Sequence, residues 1–322
     1  MGDITIMPHA ARLAFVFSPQ GSQAPGMGKD FYDNLPECKR VFDTANNVLG
    51  FDLTERCFNG PEQDLRNTEI AQPALLTTSV AALRALQSEG FDPSVAAGHS
   101  VGEYSALVAA EALTFEDAVR LVRRRGELMR DAGASADGAM AAIIGLPVDE
   151  VKRIVADAAQ SQVLEVANYN SPEQTVISGE RAAVERACEI AKDRGAKRAI
   201  PLSVSGAFHS RLMTSAAEQM DRELSAIEIR APKIPIVANF SADFVRSPEE
   251  IRRSLVNQLA GSVRWVESVK KMIACGCDAF VETGVGQALV GMIRRIDDGV
   301  TADAVYDCAS LRQFVQAARS KA

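Results

Sequence analysis

Val95-Ala96-Ala97-Gly98-His99-Ser100-Val101-Gly102-Glu103 sets one serine between two glycines, after a short apolar run and before the helix-forming Tyr104-Ser105-Ala106-Leu107. Apolar strand, tight turn and helix in that order predict an α/β fold with the serine on a strand-to-helix elbow. Flanking glycines allow a strained turn and leave room for a substrate, and a helix N-terminus favours negative charge beside the serine. Ser100 is therefore a candidate nucleophile for acyl transfer through an ester. A second reading stands beside it: Ser100 caps the helix, and Glu103, three residues on, completes a capping box.

Outward from the elbow, residues 12–17 read as a strand that ends in the polar loop Ser18-Pro19-Gln20-Gly21-Ser22-Gln23. Residues 73–86 predict a helix, 90–93 a break, and 234–238 and 279–282 further strands. Between them lies a segment with its own order: strand 139–144, helix 148–159, strands 163–166 and 175–178, helix 182–192, strand 198–202. This βαββαβ order is that of a ferredoxin-like unit. Its helices carry the apolar stripes Val151, Ile154, Val155, Ala158 and Val184, Ala187, Cys188, Ala191, which makes Cys188 a core residue. The expected architecture is a large α/β-hydrolase-like domain with a parallel sheet core, residues 1–134 and 204–322, interrupted by a ferredoxin-like subdomain at 135–203.

Composition bounds the function. With 322 residues, 47% of them hydrophobic, the chain can bury a large core, which excludes a disordered or collagenous protein. A formal charge of −7 argues against nucleic acid as a partner. An acidic partner would need a local basic patch; the candidates are Lys270 with Lys271, Lys197 with Arg198, and Arg294 with Arg295. No charged-then-apolar leader and no run of membrane-spanning length are seen, so a cytoplasmic chain without a membrane partner is expected. The six cysteines are scattered, and Cys275-Gly276-Cys277 lacks the second pair of a zinc site, so free thiols and no metal are expected.

A serine nucleophile needs a base, and the chain has three histidines. His9 is near the N-terminus, and the turn would aim His99 away from the Ser100 hydroxyl, which leaves His209 in Ser205-Gly206-Ala207-Phe208-His209-Ser210, where the chain returns from the inserted unit. A loop histidine satisfied by backbone is the plain alternative. In the predicted helix 114–130 the apolar stripe runs Ala118, Leu121, Val122, Leu128, Met129, and Arg125 falls on it while Arg123 and Arg124 do not. An inward arginine must meet a carboxylate, either internal or on a ligand, unless its stem snorkels.

These pieces resemble the malonyl-CoA:acyl carrier protein transacylases. The matching motifs, in order, are Gln20-Gly21-Ser22-Gln23, Gln72-Pro73-Ala74-Leu75-Leu76, Gly98-His99-Ser100-Val101-Gly102-Glu103, Arg125-Gly126, Asn168-Tyr169-Asn170-Ser171-Pro172 read as a turn, Gly206-Ala207-Phe208-His209-Ser210, and Asn257-Gln258-Leu259 ahead of Val263-Arg264-Trp265. The resemblance implies Ser100 as nucleophile, His209 as general base and acid, and the Gln258 backbone carbonyl as the group that orients the imidazole. It further implies an oxyanion hole from the N–H groups of Gln20 and Val101. Arg125 would hold the malonyl carboxylate, Gln72, Asn168 and Asn170 would line the pocket, and Phe208 would fill the space of an α-methyl group. Malonyl-CoA and a transiently bound acyl carrier protein are the implied partners, with no cofactor, a ping-pong cycle and a monomeric enzyme.

Two places depart from the family pattern. Pro-Gly before the first glutamine is Ser18-Pro19 here, and Gly-Pro-Gly-Lys near the C-terminus is Gly284-Val285-Gly286-Gln287. Pro19 lacks an N–H, but that of Gln20 remains. The alternatives to a transacylase are an esterase or lipase-like hydrolase using the same elbow, which has no need of Arg125, and a carrier-binding subunit without the reaction.

Overall fold

Residues 12–321 are described by the computed structural model; His9 lies outside them. Strand β1 (Arg12–Phe17) runs through the middle of a six-stranded sheet and buries both faces. Phe15 and Phe17 point into one apolar cluster and Ala14 and Val16 into another, which is the pattern of a strand covered on both sides by helices. The other strands are β2 (Val95–Gly98), β3 (Gly138–Ile144), β4 (Leu164–Ser171), β5 (Gln174–Glu180), β6 (Arg198–Pro201), β7 (Ile236–Val237), β8 (Phe244–Val245), β9 (Cys277–Thr283) and β10 (Thr301–Val305). In the large sheet the order is β10-β9-β1-β2-β7-β8, parallel except for β8. The loops after β1, β2 and β9 therefore leave the same edge side by side, where open α/β sheets place their ligands.

The second sheet has the order β4-β5-β3-β6, all antiparallel, with the helices Val148–Ala159 and Arg181–Asp193 on one face. This is the ferredoxin-like arrangement, an α/β unit beside the larger hydrolase-like one. Val151, Ile154, Ala158, Val184, Ala187, Cys188 and Ala191 share its core, with Val155 half-buried. Met140, Ala142 and Val176, on the opposite face, join the core of the large sheet. The Tyr169 N–H donates to the Val263 carbonyl at 2.9 Å and the Val263 N–H to that of Ala167 at 2.8 Å, so β4 is tied to the loop after the Pro248–Ala260 helix.

Several boundaries differ from the sequence expectation. The helix predicted over 73–86 begins five residues earlier, at Thr68, and carries Pro73 inside it. Proline 73 cannot donate to the Glu69 carbonyl, and Arg123 Nη1 donates to that carbonyl instead at 2.9 Å. The strand expected at 234–238 shrinks to Ile236–Val237, because Pro235 has no N–H for a ladder and the chain turns at once into β8. Asn168 to Ser171, read as a turn, extend β4. Among the described residues no helix is long and apolar enough to cross a membrane.

Candidate active site

The elbow forms because β2 must turn sharply into the Gly102–Ala109 helix. A Cβ on Gly98 would fall on the Gly102 backbone, and one on Gly102 would fall on the Phe17 carbonyl, so only glycine fits either place. Ser100 itself takes φ 54°, left-handed for a residue with a side chain, a strained geometry that the surroundings must hold. Asn239 holds it: its Oδ1 accepts from the Ser100 N–H at 2.6 Å and its Nδ2 donates to the Gly98 carbonyl at 2.6 Å. The capping-box alternative is not what the side chains do. The helix has no side-chain cap, and the buried Glu103 carboxylate turns inward to accept from the Asn239 N–H at 3.0 Å and Gln258 Nε2 at 2.6 Å.

His209, also left-handed at φ 58°, brings Nε2 to 2.8 Å from Ser100 Oγ. Its Nδ1 is 2.8 Å from the Gln258 carbonyl. A carbonyl only accepts, so Nδ1 carries the proton, Nε2 is the free acceptor, and the serine hydroxyl donates to it. Burial, and next the positive charge of Arg125, pull the His209 pKa down to about 3, so the resting imidazole is neutral. His99 turns away from the hydroxyl; its Nε2 is 2.8 Å from Asn170 Oδ1, and its ring lies 5.6 Å from that of Trp265.

Arg125 is fully buried on the Phe115–Ser135 helix. Its Nη1 donates to Gln72 Oε1 at 2.8 Å, and Nη2 donates to Gln258 Oε1 at 2.9 Å and Ser100 Oγ at 3.0 Å. Nε has no partner, and among the described residues Arg125 makes no salt bridge. Its nearest acidic group is indirect: the Gln258 amide stands between Arg125 and Glu103, offering oxygen to one and N–H to the other. Burial lifts the Glu103 carboxyl to about 7, against the pull of its hydrogen bonds and of Arg125. A buried guanidinium with three neutral acceptors and an unpartnered Nε carries a charge that no protein carboxylate balances, one that a ligand carboxylate would offset.

A cleft of about 390 Å³ opens onto this centre, lined among others by Gln20, His99, Ser100, Met129, Asn168, Phe208 and His209. Of the three polar residues expected along it, Asn168 lines it; Gln72 stands behind, on Arg125, and Asn170 behind His99. The N–H groups of Gln20 and Val101 donate to no acceptor among the described residues, and Thr68 Oγ1 holds the Gln20 side chain at 3.0 Å. None of the three basic pairs read as carrier-docking candidates lines the cleft. Lys271 pairs with Asp243, Lys197 with Glu173, and Arg294 donates to the Ala302 carbonyl; the arginine at the rim is Arg66, beside Glu62. Asn239 and the inward role of Glu103 had no local sequence signal, since their partners lie more than a hundred residues away.

The chain is similar to known proteins over nearly its whole length. The family described as the acyl transferase domain matches residues 14–312. The malonyl CoA-acyl carrier protein transacylase of Bacillus subtilis (strain 168) is 44% identical over 95% of this chain and 97% of its own length, and that of Escherichia coli (strain K12) is 44% identical over 93% and 97%. The crystal structure of an acyl-carrier-protein S-malonyltransferase from Burkholderia pseudomallei 1710b superposes with a TM-score of 0.92 at 42% identity, covering 95% of this chain and 99% of that one. A malonyl-transacylase solved in complex with a type II PKS acyl-carrier protein gives 0.93 at 43% identity, covering 95% and 100%. With relatives this similar over nearly its whole length, the chain belongs to the acyl transferase domain family, among the malonyl CoA-acyl carrier protein transacylases.

Proposed function

We propose that this protein moves a malonyl group from coenzyme A to the phosphopantetheine thiol of an acyl carrier protein, through an ester on Ser100. The observation that carries this reading is Arg125, a buried guanidinium without a protein carboxylate, 3.0 Å from the serine oxygen. Ser100 Oγ attacks the thioester carbonyl and passes its proton to His209 Nε2. The oxyanion is received by the N–H groups of Gln20 and Val101, both unpartnered among the described residues. His209 gives its proton to the departing coenzyme A thiolate; the carrier thiol then enters, yields its proton to His209 and takes the malonyl group, and His209 returns that proton to Ser100 Oγ as the ester bond breaks. The Gln258 carbonyl holds the imidazole tautomer throughout, where other triads use a carboxylate. Phe208 stands in the cleft and would crowd a branched acyl group.

The reading extends to a monomeric, cytoplasmic enzyme that meets its carrier transiently and needs no cofactor, since acid–base transfer and charge pairing by its own side chains suffice for thioester exchange. Arg125→Ala is the test. Malonyl transfer is expected to lose at least about a hundred-fold in kcat/KM, the usual scale for truncating a buried charged partner. Transfer of acetyl, which has no carboxylate, should change far less. Equal losses on both substrates would overturn the assignment of Arg125 to the malonyl carboxylate, and a variant that keeps both activities would favour a general esterase.

A further inference from the structure

The two departures from the family pattern lie against each other. Ser18 follows the last residue of β1 and Gly284 the last residue of β9, and those residues, Phe17 and Thr283, are register partners. The buried Ser18 Oγ accepts from the Val285 N–H at 3.0 Å and donates to Glu282 Oε1 at 3.2 Å. Glu282 Oε2 in turn accepts from the N–H groups of Leu289 at 2.8 Å and Val290 at 2.9 Å, at the start of the Ala288–Ile296 helix. At Gly284, φ 139°, a Cβ would strike the Ser79 hydroxyl and press on that of Ser18, so the loop after β9 packs closely on both serines. Proline in place of Ser18 would have no hydroxyl, and proline in place of Val285 no N–H. Here both positions differ from the pattern, and one hydrogen bond joins them.

We propose that Ser18 is a positioning residue, whose bonds to Val285 and Glu282 fix the turn that aims the Gln20 N–H at Ser100. The anchor is two residues from the donor. Pro19, between them, has a fixed φ and keeps Ser18 extended, so a restraint on Ser18 passes to Gln20 with little slack. The far side of the turn is held separately, by the Ser22 N–H on the Pro19 carbonyl at 3.3 Å and by Thr68 on the Gln20 side chain. Without the Ser18 anchor, the near side of the turn is held only as far as Phe17, by its place in β1, and the far side by these bonds. The inference rests on the reading in which Gln20 is an oxyanion donor.

Ser18→Ala, Val285→Pro and the double variant test it, with malonyl-CoA and a carrier protein as substrates and wild type as control. Removing an oxyanion donor outright costs about 10²–10³-fold in kcat, so a mis-aimed one should cost about ten-fold. That loss is expected in kcat for either single variant, with KM for malonyl-CoA and the malonyl-over-acetyl preference unchanged, because these belong to Arg125. The double variant should be no slower than the slower single one, as both remove the same bond. If Ser18→Ala unfolds early in a thermal melt, Val285→Pro, which removes the donor from the other side, is read in its place. A folded variant with kcat within about two-fold of wild type, or one changed only in KM, would overturn the proposal. Wild type that fails to transfer malonyl would instead overturn the functional reading on which it rests.

Discussion

At the scale of single residues, the reaction asks His209 to accept a proton where burial and Arg125 both oppose its charge. A malonyl carboxylate on Arg125 would offset that positive charge, so the substrate itself would make the imidazolium less costly. In the free enzyme the sign is fixed: a histidine lowered to about 3 stays neutral, and able to act as base, well below its ordinary value. The one group in its hydrogen-bonded network raised into the neutral range is Glu103, at about 7. In Glu103→Gln, kcat/KM for malonyl-CoA is therefore expected to stay level from about pH 8 down to about pH 5, as kcat/KM reports the free enzyme. An acid limb centred near the ordinary histidine value, about 6.5, would show His209 titrating as it does in water. Ser100, His209 and Arg125 were legible in the sequence because each leaves a local mark: a glycine-flanked serine, a scarce residue type, a charge on an apolar stripe. Asn239 leaves none. Its meaning lies in bonds to Gly98 and Ser100, which only the packed sheet brings near.

At the scale of elements, the segment that delivers His209 is set by where the chain leaves for the small sheet and where it returns. On leaving, Gly133 in the Phe115–Ser135 helix presses on the returning Ser205 and Gly206, and a Cβ there would meet the Ser205 carbonyl. Alanine should gain about 1 kcal/mol from helix propensity, but overpacking against backbone costs about 1–3 kcal/mol, and the clash is expected to win. Gly133→Ala should therefore lower the melting temperature and, by shifting residues 205–209, lower kcat. Gly291, in another helix with nothing near its Cβ position, is the control: Gly291→Ala should melt at or above wild type. A Gly133→Ala protein as stable and active as wild type would show that this contact does not set the His209 segment. The strands other than β8 and β10, and the βαββαβ order, were readable from apolar runs and helix stripes, whereas the true start of the Thr68–Ser88 helix was not. Its passage through Pro73 depends on Arg123, from another helix, satisfying the carbonyl that the proline cannot.

At the scale of the whole molecule, the large sheet supplies the elbow and the loop of Gln20, the inserted unit supplies Asn168 from β4, and the chain returning from it supplies Phe208 and His209. The cleft is thus a product of tertiary assembly. Sequence motifs marked Gln20, Ser100, Asn168, Phe208 and His209 in its lining, but Gln72 and Asn170, marked in the same way, stand behind it. None of the basic pairs read from adjacency alone lines it, because adjacent charges on a helix or strand say nothing of which side the cleft takes. All of these pieces would act to form and discharge one covalent intermediate. The direct measurement is mass spectrometry of the intact protein after brief exposure to malonyl-CoA and acid quenching, followed by peptide mapping. The expected result is one malonyl group on the peptide carrying Ser100, discharged by a carrier protein and absent in Ser100→Ala. Unmodified protein, or a malonyl group on any other residue, would contradict it.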